Sequence, residues 1–304
     1  MRVLVLGASG TAGQAAASAL VAGGHDLAFV LRPGAAAPVA GQVLRADPGD
    51  PMRYRRAIVE AAPEAIVSCL ASRTGTPKEA WAIDHDAHIT ALEAAKETGA
   101  RHFVLVSALC VQRPRLEFQR AKLAFEKALI ASGLTYSIVR PTAFFKSLSG
   151  QVARVRDGKP FLVFGDGRLT ACKPISDRDL GTFIAGCLTD PERQDRVLPI
   201  GGPGPALTPL DQAAILSDLL GREVPVRRVP VAMMSAIIGG LSLVGKISLR
   251  ARDRAEFARI GRYYGTESML VWDGTAYSAD ATPEFGADTL RDHYRALLAG
   301  EAEA

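Results

Sequence analysis

Three glycines near the start of the chain constrain its fold more than any other feature. Gly7, Gly10 and Gly13 follow an apolar run over residues 3–6 and open a helical pattern over residues 11–22. Glycines at this spacing permit a tight turn and let the backbone approach a pyrophosphate at a helix N-terminus, where free N–H groups attract anions. The segment predicts a strand–turn–helix unit that binds a dinucleotide through Gly7, Ser9, Gly10, Thr11, Ala12 and Gly13.

Short apolar runs alternate with helical patterns along the first half of the chain. The runs cover residues 3–6, 27–31, 65–70, 103–106 and 136–139, and the helical patterns cover 11–22, 54–62, 77–98 and 116–131. Continuous apolar runs are typical of parallel strands buried on both faces. The alternation predicts an α/β fold, a doubly wound parallel Rossmann-type sheet with a smaller C-terminal substrate-binding region.

This rhythm loosens after residue 141 and predicts a division of the chain. Residues 1–150 are expected to form an NADP-binding Rossmann domain, completed by about 176–200, where a helical pattern precedes an apolar run. Residues 151–175 and 201–304 are expected to form the substrate-binding region.

Composition excludes several classes of protein. The 304-residue chain has 36 basic and 32 acidic side chains, and its net charge of +4 is too small for a concentrated nucleic-acid-binding face. Four scattered cysteines without a Cys-x-x-Cys pair argue against a disulfide framework, a zinc ribbon and an iron–sulfur cluster. His85 and His88 are three residues apart, a spacing open either to a metal site or to packing on or between helices.

The end of the second predicted strand distinguishes the two nicotinamide dinucleotides. An NAD site usually places Asp or Glu there to bind the ribose 2′-hydroxyl, whereas this chain has Arg32, which can pair with a 2′-phosphate. We therefore expect NADPH as the cofactor. Asp47 in the next turn is open to an adenine contact or to an ordinary turn role. Further cofactor contacts are expected at Cys69, Leu70, Pro141 and Thr142, which follow or end later predicted strands.

A strand-end serine and a downstream lysine indicate reductase chemistry. Ser107 follows the run 103–106, and Lys122 lies four residues after Phe118 in the next helical pattern. This layout resembles the short-chain dehydrogenase/reductase superfamily, in which a serine and a Tyr-x-x-x-Lys helix serve the nicotinamide end. The resemblance implies that Ser107 and Lys122 are catalytic and also bind the cofactor, with Lys122 at the nicotinamide ribose. Because Phe118 occupies the tyrosine position and has no proton to give, reduction of a conjugated carbon–carbon double bond is favoured over reduction of a carbonyl.

A more specific resemblance extends over nearly the whole chain. The stretches that carry it are LVSALCVQ (105–112), LEFQRAK (116–122), YSIVRPTAFFK (136–146), FGDG (164–167), ACKPIS (171–176), LPIGGPGPA (198–206), IGRYY (260–264) and TESML (266–270). Together they resemble the NADPH-dependent 3,8-divinyl (proto)chlorophyllide a 8-vinyl reductases, a family of atypical short-chain reductases. The resemblance implies reduction of the 8-vinyl group of a magnesium tetrapyrrole to ethyl in chlorophyll and bacteriochlorophyll synthesis, without a protein-bound metal.

A flat apolar macrocycle needs an apolar slot with few polar anchors. The side chains expected to contact it are Phe118, Phe144, Phe145, Met233 and Tyr264. The proton donor stays open among Cys110, Cys172 and Tyr264, each of which also fits an inert buried group. Two other functions stay open as well: an atypical short-chain reductase acting on a different conjugated alkene, and a non-catalytic NADPH-sensing regulator.

An uncharged run precedes a basic stretch in the C-terminal region. Residues 229–245 carry no charge, and residues 246–262 hold six basic and two acidic residues. Such segments are typical of contact with an anionic membrane surface, or of a buried helix followed by a solvated one, which we favour. Because the first predicted strand begins at Arg2 and leaves no room for a targeting peptide, we expect a cytoplasmic protein. Peripheral contact with photosynthetic membranes is the alternative, and the oligomeric state stays open.

Overall fold

The computed structural model describes residues 1–244 and 248–301, and the chain divides within it into two units. The first comprises Met1–Pro141 and Asp177–Pro199, and the second comprises Thr142–Ser176 and Ile200–Ala304. The roles predicted for the two regions, cofactor binding and substrate binding, stay predictions at this level because the course of the backbone identifies no ligand.

The strands in the described residues are mostly short. In chain order they are β1 (Arg2–Leu6), β2 (Asp26–Leu31), β3 (Gln42–Arg45), β4 (Ala65–Ser68), β5 (His102–Val106), β6 (Thr135–Pro141), β7 (Phe161–Phe164), β8 (Arg196–Ile200), β9 (Val226–Val229), β10 (Val271–Trp272) and β11 (Tyr277–Ser278). The run predicted over residues 65–70 leaves the sheet two residues early, after Ser68.

The helices alternate with the strands in the first unit and dominate the second. They are α1 (Thr11–Ala22), α2 (Pro51–Ala61), α3 (Pro77–Ala80), α4 (Ala87–Thr98), α5 (Glu117–Ile130), α6 (Phe145–Leu148), α7 (Val152–Arg156), α8 (Asp177–Gly186), α9 (Pro209–Leu220), α10 (Val231–Val244), α11 (Leu249–Thr266) and α12 (Leu290–Ala299). The helix predicted over residues 77–98 is interrupted by a π-helical turn, Trp81–Asp86, between α3 and α4.

A seven-stranded sheet in the order β3-β2-β1-β4-β5-β6-β8 organises the first unit. Each neighbouring pair from β3 to β6 is parallel. The chain moves outward from β1 to β3 and then returns to the other side of β1 with β4. Right-handed crossovers in these two directions place helices on opposite faces, so the predicted doubly wound sheet is confirmed. Ligands bind such sheets beyond the carboxyl ends of the strands, at the point between β1 and β4 where the direction reverses.

The sheet is buried by apolar side chains from both β-strands and helices. Leu4, Leu6 and Ile66 are fully buried, together with Phe103 and Phe125. Elsewhere in the first unit, α8 packs closely against α1. A Cβ on Gly181 of α8 would lie 2.5 Å from the Ala15 carbonyl oxygen of α1. This packing fixes α1, and with it the glycine turn that precedes α1.

The second unit has its own core and small sheets. Phe145, Phe161 and Tyr294 pack in one apolar cluster. Strand β7 pairs with β9 in parallel, and β10 pairs with β11 in antiparallel orientation. Across residues 1–244 and 248–301, no helix is both long enough and apolar enough to cross a membrane. Most of the uncharged run forms α10, where Met233 and Ile237 are each 50% exposed, so the buried helix favoured above is wrong for this part of the chain. Gly245 and Lys246 lie outside the described residues.

Candidate cofactor and catalytic site

The glycine turn is held between α1 and the segment that follows β4. Gly7 has a left-handed backbone, with φ at +72°, and a Cβ there would lie 2.6 Å from the Leu70 nitrogen. A Cβ on Gly13 would lie 2.2 Å from the Gly7 carbonyl oxygen. Glycine is therefore required at both positions. A Cβ on Gly10 would meet only the Gly7 oxygen at 3.5 Å, so the middle of the turn is open.

This turn presents a helix N-terminus that carries no anion of its own. Gly10 caps α1 without a side-chain hydrogen bond, and the first helical turn contains no acidic residue. The first N–H groups of a helix lack partners within the helix and carry positive partial charge. Ser9 and Gly10 are exposed, and Thr11 and Ala12 are half-buried beside them. The turn therefore has the shape and polarity that a pyrophosphate requires.

Two arginines lie at the end of β2. Arg32 directly follows β2 and is exposed, while Arg45 ends β3 opposite Leu31. The Arg45 Nη1 atom donates to the carbonyl oxygen of Arg32 at 3.2 Å and also to that of Ala35. Arg45 thus fixes the loop that carries Arg32. The sequence did not reveal this residue because β3 is a polar edge strand without an apolar run.

The turns after β3 and β4 carry the other strand-end residues predicted to bind the cofactor. Asp47 is exposed, and its Oδ1 accepts a hydrogen bond from the Gly49 N–H at 2.8 Å, which is the turn role left open above. The Cys69 N–H donates to the Leu6 carbonyl at 2.9 Å. This bond keeps Cys69 and Leu70 beside the glycine turn after β4 has ended. Direct contact of these residues with a cofactor stays a prediction.

A buried histidine supports the end of β4. The Ser68 Oγ lies 2.8 Å from His88 Nε2, and His88 Nδ1 lies 2.9 Å from the Ile83 carbonyl oxygen. Desolvation, and then the positive charge of Lys122, lower the pKa of His88 to about 4. The ring is therefore neutral at physiological pH, donating from Nδ1 to Ile83 and accepting at Nε2 from Ser68. Of the two roles left open for His88, packing is the one it takes here.

Ser107 is part of a buried network that the sequence did not reveal. Its Oγ donates to Glu126 Oε1, and Arg140 donates through Nε to the same oxygen at 3.2 Å and through Nη2 to Oε2. Glu126 is almost fully buried. Because its proton is bonded to Glu126, the Ser107 hydroxyl can offer a bound molecule only an acceptor. The catalytic role predicted for Ser107 stays a prediction.

Lys122 is anchored by an ion pair inside the first unit. Its Nζ lies 2.9 Å from Asp84 Oδ1, with 10% of the lysine side chain and none of the aspartate side chain exposed. Phe118 lies one helical turn before Lys122 on α5 and is also buried. The buried Gln119 fixes the start of α5, because its amide accepts from the Leu116 N–H and donates to the Cys110 carbonyl. Lys122, Phe118 and Glu126 thus follow one face of α5, at intervals of four residues.

The remaining predicted site residues are distributed along the chain after β5. Pro141 is buried as the last residue of β6. Thr142 begins the second unit, and its Oγ1 donates to the Lys173 carbonyl. In the second unit Phe144 is half-buried, and its backbone pairs with that of Ile175. Their contacts with cofactor or substrate stay predictions.

The residues expected to contact the substrate differ in exposure. Phe145 lies in the core of the second unit and has only 4% exposure, which gives it a packing role. Met233 on α10 and Tyr264 on α11 are 50% and 43% exposed. The Tyr264 ring packs edge-on against that of Tyr263. An exposed thioether and phenol are accessible to a ligand, whereas Phe145 is much less so.

The candidate proton donors are also placed differently. Cys110 and Cys172 are buried, and desolvation raises the pKa of Cys172 to about 12, so its thiol gives up a proton poorly at neutral pH. Tyr264 is the accessible member of the three. Within residues 1–244 and 248–301, no group of three or more His, Cys, Asp or Glu side chains is arranged to hold a metal ion.

Sequence patterns missed the partners of the predicted residues. Glu126 lies four positions after Lys122, so helical spacing offered a signal for it. Asp84 is far from Lys122 in the chain and carries no local signal. Arg140 reaches Glu126 from the neighbouring strand β6, which is likewise visible only in three dimensions.

Known proteins share both the sequence and the fold. The profile of an NAD(P)H-binding family matches residues 7–191, which include the glycine turn, Ser107 and Lys122. The chain is 54% identical over 242 residues to the chloroplastic divinyl chlorophyllide a 8-vinyl-reductase of Cucumis sativus, covering 77% of this chain and 58% of that protein. It is 46% identical over 316 aligned residues to the rice protein of the same name, covering 97% of this chain and 78% of that protein. The chain therefore contains an NAD(P)H-binding domain, and it spans less than two thirds of the cucumber relative.

A solved structure shows the same fold at lower identity. The NADPH complex of leucoanthocyanidin reductase from Vitis vinifera matches with a TM-score of 0.69 and 17% identity, covering 98% of this chain and all of that one. At this identity the likeness concerns the fold alone.

Proposed function

This chain belongs to the divinyl chlorophyllide a 8-vinyl-reductase family, and we propose that it reduces the 8-vinyl group of a divinyl magnesium tetrapyrrole to an ethyl group. The resemblance predicted from the sequence motifs is thereby confirmed. The observation that carries the proposal is the extent of the similarity, since the alignment with the rice protein covers 97% of the chain. The substrate is divinyl chlorophyllide a or divinyl protochlorophyllide a.

The residues of the first unit fit a reduced nicotinamide dinucleotide, which supplies a hydride when bound. The space that a Cβ on Gly7 or Gly13 would need is filled by backbone, so the turn keeps the flat profile that a pyrophosphate needs. The Lys122 ammonium would hold the nicotinamide ribose. Phe118, one turn away on α5, is buried and has no proton to offer. A site without a phenol suits an alkene whose negative charge can spread over a macrocycle, and it suits a simple ketone poorly.

The second unit is assigned to the substrate. Met233 and Tyr264 are accessible, and an adaptable thioether and an aromatic ring are suited to a large flat apolar ligand. Phe144 is a further candidate because it is only half-buried. Tyr264 is also the accessible candidate for the proton that completes the ethyl group.

Isotope transfer tests the proposed reaction. With NADPH carrying deuterium at the transferable position of the reduced nicotinamide and divinyl chlorophyllide a as substrate, we expect one deuterium in the 8-ethyl group of the product. Mass spectrometry and NMR of the pigment measure it, and the 8-ethyl pigment is the control that should consume no NADPH. Product without deuterium contradicts hydride transfer from the dinucleotide. Binding of NADPH without any turnover favours the regulatory alternative.

A preference for NADPH over NADH is proposed from the arginines at the end of β2. Arg32 directly follows β2, where an NAD site usually has Asp or Glu, and Arg45 donates to its carbonyl oxygen. A 2′-phosphate would accept charge-assisted hydrogen bonds from Arg32. We expect Arg32→Ala to weaken NADPH binding by about 10- to 100-fold, the equivalent of one charged hydrogen-bond partner, and to change NADH binding by less than about twofold. Fluorescence titration with both dinucleotides measures the two affinities.

The control for this substitution is Arg53→Ala, which removes the same charge from an exposed side chain on α2. It should leave both affinities unchanged. Equal losses of NADPH and NADH affinity in Arg32→Ala contradict a contact with the 2′-phosphate.

A location at the surface of photosynthetic membranes is proposed from α10 and α11. Met233 and Ile237 are exposed on α10, and Phe257 is exposed on α11. The basic excess of residues 246–262 equals the net charge of the whole chain. Exposed apolar side chains next to a basic excess suit an anionic lipid surface.

A further inference from the structure

The ion pair of Asp84 with Lys122 buries a carboxylate that is only partly hydrogen-bonded. The two atoms that bond are 2.9 Å apart, and the aspartate side chain is fully buried. Besides Lys122, the Ser72 N–H donates to Asp84 Oδ1, at 3.3 Å. The second carboxylate oxygen, Oδ2, is buried and receives no hydrogen bond from the described residues. Burying a carboxylate with one oxygen unsatisfied is costly, so this pair is poorly explained as a device for stability.

The backbone that carries Asp84 is unusual as well. Asp84 lies in the π-helical turn Trp81–Asp86, where the Ala87 N–H bonds to the Ala82 carbonyl five residues back. Such turns insert one extra residue into a helix and occur frequently at functional sites. The inserted residue changes the side-chain phase between α3 and α4. The turn is therefore a second, independent sign that Asp84 has a local role.

We propose that Asp84 is a positioning residue that holds the Lys122 ammonium in place for a bound dinucleotide. Asp84 has no exposed side-chain surface, whereas 10% of the Lys122 side chain is exposed. Part of the lysine side chain is therefore accessible, whereas the aspartate side chain is not. The inference rests on the proposed role of Lys122 at the nicotinamide ribose, and it adds the group that holds this lysine.

The neighbouring titratable groups in residues 1–244 and 248–301 have other partners. His88 is neutral and its two ring nitrogens are bonded to Ser68 and Ile83. Glu79 accepts hydrogen bonds from the backbone N–H groups of Arg73 and Thr74. One turn further along α5, Glu126 is paired with Arg140. Asp84 is thus the carboxylate that compensates the charge of Lys122.

Asp84→Asn tests the role, with Asp86→Asn as its matched control. Both substitutions remove one aspartate charge from the same turn, but Asp86 is exposed. We expect Asp84→Asn to weaken NADPH binding by about tenfold or more, because a buried ammonium without its counter-charge is no longer held. The NADPH affinity of the Asp86→Asn protein should stay within about twofold of that of the natural protein. Fluorescence titration with NADPH measures both without any need for turnover.

A double substitution separates positioning from a general loss of structure. Asp84→Asn combined with Lys122→Met removes both charges, and it should bind NADPH within about twofold of Lys122→Met alone, because Asp84 acts through the lysine. It should also regain melting temperature lost in Asp84→Asn, which keeps the test usable if that single variant folds poorly. Asp84→Asn combined with Arg32→Ala should instead show multiplied losses, since Arg32 acts independently at the other end of the dinucleotide.

Two results overturn the inference. One is NADPH binding by a folded Asp84→Asn protein that equals that of Asp86→Asn. The other is multiplied losses when Asp84→Asn and Lys122→Met are combined. If the isotope experiment fails while this coupling is observed, the proposed reaction is wrong and the role of Asp84 stands.

Discussion

Gly13→Ala is expected to remove NADPH binding almost completely and to destabilise the first unit. The added Cβ would lie 2.2 Å from the Gly7 carbonyl oxygen and 2.7 Å from the Ala8 Cα, both of them backbone atoms. Overpacking in a tight site typically costs about 1–3 kcal/mol, and more where the neighbours cannot move. Here the turn cannot retreat, because a shift of Gly7 would bring it against Cys69 and Leu70. Thermal melting and NADPH titration measure the two effects.

Gly10→Ala is the matched control in the same turn. A Cβ at Gly10 would be 3.5 Å from the Gly7 oxygen, which is an ordinary contact, so the variant is expected to fold. Because alanine is a poorer helix N-cap than glycine, the free energy of unfolding should fall by at most about 1 kcal/mol. NADPH binding should nevertheless weaken, since the methyl group would lie where the pyrophosphate approaches the backbone. Full NADPH binding by Gly13→Ala, or wild-type binding by Gly10→Ala, contradicts a pyrophosphate at this turn.

Local sequence signals predicted the elements that organise the cofactor half. The bounds of α1 agree with the predicted residues 11–22, because glycines close the helix at both ends. The helix predicted over residues 116–131 is α5, Glu117–Ile130, whose start is fixed by Gln119 accepting from the Leu116 N–H. In each case the residues that begin or end the helix are close in sequence to the helix itself. Short-range physics therefore sufficed to predict them.

Elements without a buried face escaped prediction. Strand β3 lies at the edge of the sheet with Gln42 and Arg45 exposed, and β9 contains exposed arginines at 227 and 228. A strand that pairs on one side and faces solvent shows neither a continuous apolar run nor strict alternation. For this reason the sequence predicted Arg32 at the cofactor site and missed Arg45 beside it.

The charged partners inside the site were likewise missed, although the spacing of Glu126 from Lys122 on one helix offered a signal for that residue. Lys122 and Ser107 were recognised from their spacing, but their acids, Asp84 and Glu126, depend on how α5 packs against the preceding helix and the sheet. The π-helical turn that carries Asp84 has no signal in a pattern with a period of 3.6 residues. The resemblance of this chain to a family therefore identified Lys122 and Ser107 more readily than the carboxylates that bond to them.

Glu126→Ala is expected to be among the most destabilising single substitutions in the first unit. Glu126 is 2% exposed and compensates the Arg140 guanidinium while accepting the Ser107 hydroxyl proton. Removing one partner of a buried ion pair leaves the other charge uncompensated and costs about 3–5 kcal/mol, which corresponds to about 10 °C in melting temperature for a domain of this size. Differential scanning calorimetry measures the shift.

Glu93→Ala provides the comparison, since it breaks an exposed ion pair with Lys96 on α4 and should cost less than about 1 kcal/mol. Glu126→Gln keeps the size and an acceptor for Ser107 but removes the charge, so its melting temperature should lie between those of the natural protein and Glu126→Ala. If Glu126→Ala melts no lower than Glu93→Ala, the Arg140 charge is solvated without Glu126. In that variant Ser107 also lacks its carboxylate acceptor, so its hydroxyl can donate to a bound molecule, which it cannot do while Glu126 accepts its proton.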